Sequence, residues 1–437
     1  MLTFRHVFSA AFGLVVCSTT LMLVCYGYAS EAGVAFIVSQ LIALVILILT
    51  ALSMSELATT WPKAGSFGVY VREALGREAG MLVALLYFMM FFPLSAEAIL
   101  IGKITELYIP QIPWQGWSVF YATIMLIVNL LGILLVGRVA LAMTIYMIGT
   151  MVLFSLLYIA GLGVTSFNWE SATALPAEWG QLWVPVVTWA MLAFWLYVGF
   201  EVPAPLAEET KEPEKTIPRA TVCALLFIFA VQALFGFAVR GALTPEEILS
   251  VPYPHVEAGL RMFGPTAMAI LATVSIVATL STFNTVMAGS SRLLWSLGHE
   301  GYLPKVGWLH PRFRTPWIPL FIEYVVIVLF ILFLEKYIML MIAVDTFIFL
   351  LIYLLLHVSV IVLRNKQPSV KRPFSVGGPW KMPIVPILGI VGMLVTMYYQ
   401  FFGPMGDPTA LWAGGTAALA ALVFSVIVLR TYAKARK

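Results

Sequence analysis

Two short stretches carry the residue types that could do chemistry inside an otherwise apolar chain. The first is Cys17-Ser18-Thr19-Thr20, small and hydroxylic, in the middle of the apolar run 9–29. The second surrounds Glu201, where Gly199, Pro203 and Pro205 interrupt the run 184–207. Proline removes an intrahelical hydrogen bond and glycine relaxes the backbone, so both runs are expected to break as helices. At membrane depth an unwound backbone is tolerable only where it lines a cavity or is buried in protein. The chemistry such breaks offer is non-covalent: amides for an anionic group, carbonyls for a cationic one. Candidate donors are the amides of Ser18, Thr19 and Thr20, beside Cys17; candidate acceptors are carbonyls near Val15 and Val16 and near Phe194 and Trp195. Small residues in the first run would also suit close packing between helices.

Ionisable side chains inside apolar runs are functional candidates by default, because each is costly to bury. Glu201 stands beside the second break and could take and release a proton. Glu97, in the run 79–101, could contact an ammonium group or carry a proton; structural pairing is an equal alternative. Asp345, nine residues beyond Lys336, reads as a gate or surface salt bridge near the end of its run. Glu323 and His357 read as packing residues. Ser281 and Thr282 are hydroxyls that could join carbonyls of the first run in holding sodium, or simply bond within their own helix. The five histidines and three cysteines have no metal-ligand or disulfide spacing, and no cofactor is expected.

The elements that position these residues follow from composition. Of 437 residues, 61% are hydrophobic and 11% charged, a balance that belongs to a lipid bilayer rather than water. The apolar runs have the length of bilayer-crossing helices and lack the alternation of barrel strands. Twelve spans are expected, over 9–29, 32–54, 79–101, 117–136, 139–163, 184–207, 219–242, 265–297, 317–334, 337–362, 383–402 and 409–430. With the N-terminus inside, 21 of the 25 Lys and Arg residues fall on inner segments, which places both termini in the cytoplasm. That asymmetry accounts for the net charge of +4 with no nucleic acid. Loop 55–78 is expected to form a short amphipathic segment on the inner surface, and Pro213 and Pro218 to prevent a continuous helix in the loop 208–219. The two breaks lie five spans apart, in corresponding positions of two halves, which points to a solute site at mid-depth between inverted repeats. A channel would need a polar stripe through the whole membrane, and an enzyme a nucleophile–base or metal constellation; neither is present in the sequence.

Three stretches resemble one family. "SMSELATTWPKAGSFGVYVREALG" (53–76), "FWLYVGFEVPAPLAEETKEPEKTIPRA" (194–220) and "STFNTVMAGSSRLLWSLGHEGYLP" (281–304) are similar to the loop after span 2, the sixth span with its following loop, and the eighth span of the amino acid–polyamine–organocation (APC) permeases. The resemblance implies an all-α LeuT-like fold: a 5+5 inverted repeat (9–163 and 184–362) with spans 1 and 6 discontinuous, plus two extra helices (383–430). It implies a secondary transporter of the inner membrane that moves an amino acid by alternating access, coupled to protons or, alternatively, sodium. An amine or polyamine carrier, or a non-transporting sensor, are the alternatives; few acidic groups near the breaks weigh against polyamines. Relatives place a gating aromatic at the position of Trp195 and a polar substrate-facing residue at that of Ser95. Two departures stand out. The family's Gly-Ser-Gly-Ile at the first break is Cys17-Ser18-Thr19-Thr20 here, which implies a smaller or differently shaped pocket. The lysine that some proton-coupled relatives carry in span 5 is replaced, at the matching position, by Met147.

Overall fold

The computed structural model describes residues 1–175, 179–376 and 383–435. Among these the chain is helical throughout: α1 (Phe4–Val15), α2 (Ser18–Ala29), α3 (Phe36–Thr60), α4 (Ser66–Leu75), α5 (Arg77–Phe88), α6 (Phe92–Tyr108), α7 (Trp114–Leu130), α8 (Ile133–Ile159), α9 (Trp169–Thr173), α10 (Trp183–Ala193), α11 (Pro213–Ala242), α12 (Pro245–Ser250), α13 (Pro254–Phe263), α14 (Pro265–His299), α15 (Trp317–Phe333), α16 (Ile338–Lys366), α17 (Ile384–Phe402) and α18 (Pro408–Ala435). Among the described residues eight helical segments are long and apolar enough to cross a membrane, nine when α1 and α2 count as one bent span. The other three expected spans fall on shorter helices: α7 and α15, of 17 residues each, and the segment Trp183–Tyr197.

Both expected breaks are present. The chain bends by 62° between α1 and α2. After α10 it passes through a short 3₁₀ turn, Phe194–Tyr197, and then through turns, without resuming an α-helix before Pro213. The second break is therefore longer than a kink, as befits one glycine and two prolines in seven residues. Gly199 has φ +114°, and a Cβ there would run into the Leu14 side chain. The bare backbone of one break thus packs on the helix end of the other.

Four local expectations need correction. Loop 55–78 begins as helix, because α3 continues to Thr60 with the Glu56 carboxylate anchored by Arg364 and Arg372. Its second part, α4, does not lie on the surface: Phe67, Val69, Tyr70 and Val71 are all buried within the bundle. Pro213 and Pro218 do not prevent a helix. Pro213 takes the first helical position, where its missing N–H has no partner to lose, and α11 continues through Pro218. The turn between expected spans 4 and 5 comes at Leu131-Gly132, not at 137–138, with Gly132 at φ +117°.

The elements sort to two ends. At one end Leu2 pairs with Thr210, Arg292 with Glu209, Arg72 with Glu300, and Lys366 donates to the carbonyl of Ala74. This end gathers the N-terminus and the segments expected to be basic and inner; Lys381, Arg436 and Lys437, counted among them, lie outside the described residues. The other end carries the Lys103–Glu335 and Arg261–Glu247 pairs and a cavity lined by Arg240 at the end of α11 with Glu31 and Met405 from two connections.

Candidate functional site

The site grows from the start of α2. A helix start leaves unpaired N–H groups that want acceptors, and α2 finds them within the chain. The Cys17 N–H donates to the Thr20 hydroxyl at 2.9 Å, and that hydroxyl in turn lies 3.1 Å from the Val15 carbonyl. The Ser18 N–H donates to Thr279 Oγ1 at 3.3 Å. The Thr19 N–H donates to Glu97 Oε1 at 3.4 Å, and the Thr19 hydroxyl donates to the same oxygen. The expectation that the amides of Ser18 and Thr19 stand free is corrected: Thr279 and Glu97 hold them. A carboxylate at a helix N-terminus is favourable in both charge and hydrogen bonding, and here the protein supplies it.

Glu97 on α6 is 4% exposed. Its second oxygen accepts from Thr279 Oγ1 at 2.9 Å. It lines a cavity of about 50 Å³ with Val15, Cys17, Thr19, Thr20, Trp195, Thr282, Asp345 and Phe349. Asp345 is 3% exposed, and its Oδ1 has no hydrogen-bond partner among the described residues. Among the described residues the surface salt bridge expected for it is absent; Glu335 pairs with Lys103. Among the described residues neither Glu97 nor Asp345 has a cationic side chain within ion-pair distance.

Trp195 packs edge-on to Phe349, ring centroids 6.2 Å apart. Trp195 and Thr19 line both the small cavity and a larger one of about 480 Å³ that reaches Gln400, Met405 and Asp407. They form the partition between the two. The larger cavity opens towards the α17–α18 connection, away from the basic end.

Of the remaining candidates only Thr282 is at the cavity. Val16 and Phe194 are buried, the latter against Tyr353. Ser95 donates to the Phe92 carbonyl at 2.5 Å and contacts the Met341 sulfur. Ser18 turns its hydroxyl to Ser275, 2.7 Å away on α14. Ser281 packs against the bare Cα of Gly13, and its hydroxyl has no partner among the described residues. Thr282 does line the cavity, but its hydroxyl donates to the Leu14 carbonyl at 2.8 Å. Glu201, fully buried, sits behind the site: Tyr353 and Tyr87 donate to it at 2.5 and 3.5 Å, and the Gly199 N–H donates at 2.9 Å.

Sequence reasoning missed Thr279, Ser275, Tyr87, Tyr353 and Phe349. A signal existed for most of them. Ser275, Thr279 and Thr282 recur at helical spacing, as do Asp345, Phe349 and Tyr353, so each set shares one face of its helix.

The comparisons with known proteins identify the family. The family model for amino acid permeases matches residues 2–427. The chain is 26% identical over 282 residues to an uncharacterized amino acid permease, YvbW, of Bacillus subtilis, covering 63% of each chain. It is 29% identical over 296 residues to the low-affinity putrescine importer PlaP of Escherichia coli, covering 63% of this chain and 62% of that one. It is 24% identical over 406 residues to the glutamate/serine transporter AimA of Bacillus subtilis, covering 85% of this chain and 72% of the relative. The first two matches thus span a little under two thirds of the relatives' length. The chain belongs to the amino acid permease family of the APC superfamily, whose members are transporters rather than enzymes.

Proposed function

We propose that this permease is a secondary transporter that carries a small amine by alternating access, its ammonium group held between Glu97 and Asp345. The observation that carries the reading is two buried carboxylates on one cavity without a cationic partner among the described residues. A buried charge left unpaired costs several kcal/mol, so the arrangement is sustainable only if protons or a bound cation relieve it. Trp195 and Phe349 add aromatic surface suited to a cationic head. Because Glu97 already holds the Thr19 amide, a substrate carboxylate has to compete for it; this favours an amine over an amino acid. The similarity to a putrescine importer points the same way. An amino acid remains the second reading, favoured by the family itself and by the glutamate/serine relative; there the substrate carboxylate displaces Glu97 from the start of α2.

On this reading Glu97 is the coupling carboxylate and Glu201 braces the second break. Proton and ammonium compete for Glu97, so coupling takes the form of exchange. Thr282 is committed to a carbonyl, which argues for protons over sodium. Twelve spans in two repeats, both termini in the cytoplasm and residence in the inner membrane complete the reading, supported by the gathering of basic segments at one end.

Thermal-shift screening of the purified protein tests it, with putrescine, other small amines and the twenty amino acids, each in sodium and in potassium. A native-state ligand raises the melting temperature by mass action. Amines are expected to stabilise in both salts. Stabilisation by amino acids alone selects the second reading, and stabilisation only in sodium overturns the proton assignment.

A further inference from the structure

Glu97 is also the end of a continuous line of side chains. Its Oε2 accepts from Thr279 Oγ1 at 2.9 Å; the hydroxyls of Thr279 and Ser18 are 3.1 Å apart; those of Ser18 and Ser275 are 2.7 Å apart; and Ser275 Oγ lies 3.0 Å from His255 Nε2. All five residues are buried. His255 sits on α13, in the connection between α11 and α14, and its Nδ1 has no hydrogen-bond partner among the described residues. Three residues upstream, Pro252 is exposed.

We infer that His255, Ser275, Ser18 and Thr279 form a proton relay that connects Glu97 to the end of the bundle carrying α13. The inference rests on the proposed role of Glu97 only in that its carboxyl exchanges protons during the cycle.

The chemistry balances with proton shifts alone. A proton on Glu97 Oε2 passes to Thr279 Oγ1, Thr279 passes its own hydroxyl proton to Ser18, to which it donates, and Ser18 to Ser275. Ser275 passes its proton to Nε2 of the neutral imidazole, which releases the proton on Nδ1. Each hydroxyl gains one proton and loses one, and the imidazole ends as the other neutral tautomer. Reset requires only rotation of the hydroxyls and a tautomer exchange at His255, which is 1% exposed. Burial without a charged partner pushes His255 down to about 3, so at neutral pH it is the neutral form that relays. No competing acid or base interrupts the line. The ionisable groups on α13 and the elements packed against it are Glu257 and Arg261 on α13, Glu214, Lys215, Arg219, Cys223 and Arg240 on α11, Glu246 and Glu247 on α12, Cys25, Tyr26 and Tyr28 on α2, and Arg292 and His299 on α14. Arg261 is paired with Glu247, and Arg240 is engaged by Ser171. At the inner end Cys17 and Asp345 share the cavity with Glu97.

The geometry has a purely structural alternative, a hydroxyl network that only ties α2, α13 and α14 together. Time-resolved infrared spectroscopy in liposomes separates the two, with no substrate needed. The Glu97 carboxyl band is assigned by its loss in Glu97→Gln, and its response to a rapid external pH jump is followed. His255→Gln should slow that response at least tenfold, and Ser275→Ala should do the same, covering the case in which one variant fails to fold. An unchanged rate in a folded variant overturns the relay. In parallel, radiolabelled putrescine is the transport probe: His255→Gln should lose accumulation driven by a pH gradient and keep putrescine counterflow, which needs no net proton movement. Absence of all putrescine movement in the wild type, with the infrared slowing intact, refutes the amine reading and leaves the relay supported.

Discussion

Replacing Glu97 with glutamine keeps its shape and removes its charge. The Thr19 hydroxyl and amide can still donate to the side-chain oxygen, while the new amide nitrogen faces the Thr279 hydroxyl, which can turn to accept. The folding cost is therefore about one neutral hydrogen bond, ~1 kcal/mol. The binding cost is larger. A hydrogen bond to a charged group is worth about 1.5–3 kcal/mol, so an ammonium that loses its carboxylate partner should bind roughly 10- to 150-fold more weakly. Asp345→Asn makes the useful comparison, because an ammonium held between the two acids loses one partner and keeps Glu97: it should weaken putrescine and propylamine to a similar, marked degree. Calorimetric titration of the purified protein reads all of these directly. Putrescine affinity in Glu97→Gln within twofold of wild type, in a folded protein, would refute the claim that this carboxylate faces the substrate.

Three further outcomes follow from the geometry. Gly199→Ala places a Cβ against Leu14 at a backbone conformation that favours glycine; it should cost at least about 1–3 kcal/mol, read as a lowered melting temperature with poor recovery from the membrane. His255 gives a pH signature. Its pKa is lowered from 6.5 to about 3 on folding, so between those values the unfolded chain binds the extra proton, and stability falls as pH drops through 6.5. The full window is worth up to about 5 kcal/mol, and the decline in melting temperature between pH 7 and 5 should be shallower in His255→Gln; equal slopes would show that another group carries it. Trp195→Ala should merge the two cavities, raising the exchange rate of bound probe at least several-fold, measured by stopped-flow dissociation.

How much of this was legible in the sequence differs from element to element. The break at Val16-Cys17 was legible because hydroxyl-bearing residues interrupt an apolar run. The turn at Gly132 was not: "LGILLVGRV" is apolar on both sides of it, and hydropathy cannot see a reversal made by one glycine at positive φ. Pro213 misled because its effect depends on position in the helix, harmless at the first residue and costly inside. At the site, local reasoning found the amides of α2 but not their occupant, since Glu97 lies 78 residues away from Thr19. Asp345 was placed by its distance from Lys336, when its spacing to Phe349 and Tyr353 was the better guide to the face it shares. His255 meets Ser275 only through the packing of α13 on α14, which no periodicity reveals.

The basic end also shows which of its ties is built to open. On the proposed alternating-access reading that end parts while the bundle stays folded. Glu56 is 2% exposed, accepts from Arg364 at 2.9 Å and from the Val376 N–H at 2.8 Å, and lies 3.5 Å from Arg372. Breaking one side of such a buried pair strands a charge at about 3–5 kcal/mol, too much to repeat in every cycle, so α3 and α16 must travel together. Arg292–Glu209 is different. The glutamate is 36% exposed and the arginine 9%; on separation water solvates the glutamate while Arg292 keeps its bond to the Ala288 carbonyl, so parting them costs less than stranding Glu56. The pair joins α14 to the turns that follow the second break, and the same turns hold Leu2 just before α1. Opening there would move both broken segments as one unit against α14, the helix that carries Thr279 and Thr282 to the cavity. Arg292→Gln should therefore shift the resting protein towards access from the basic end, seen as faster labelling of a cysteine introduced at Val202, while Glu56→Gln should lower the melting temperature and leave that labelling ratio unchanged.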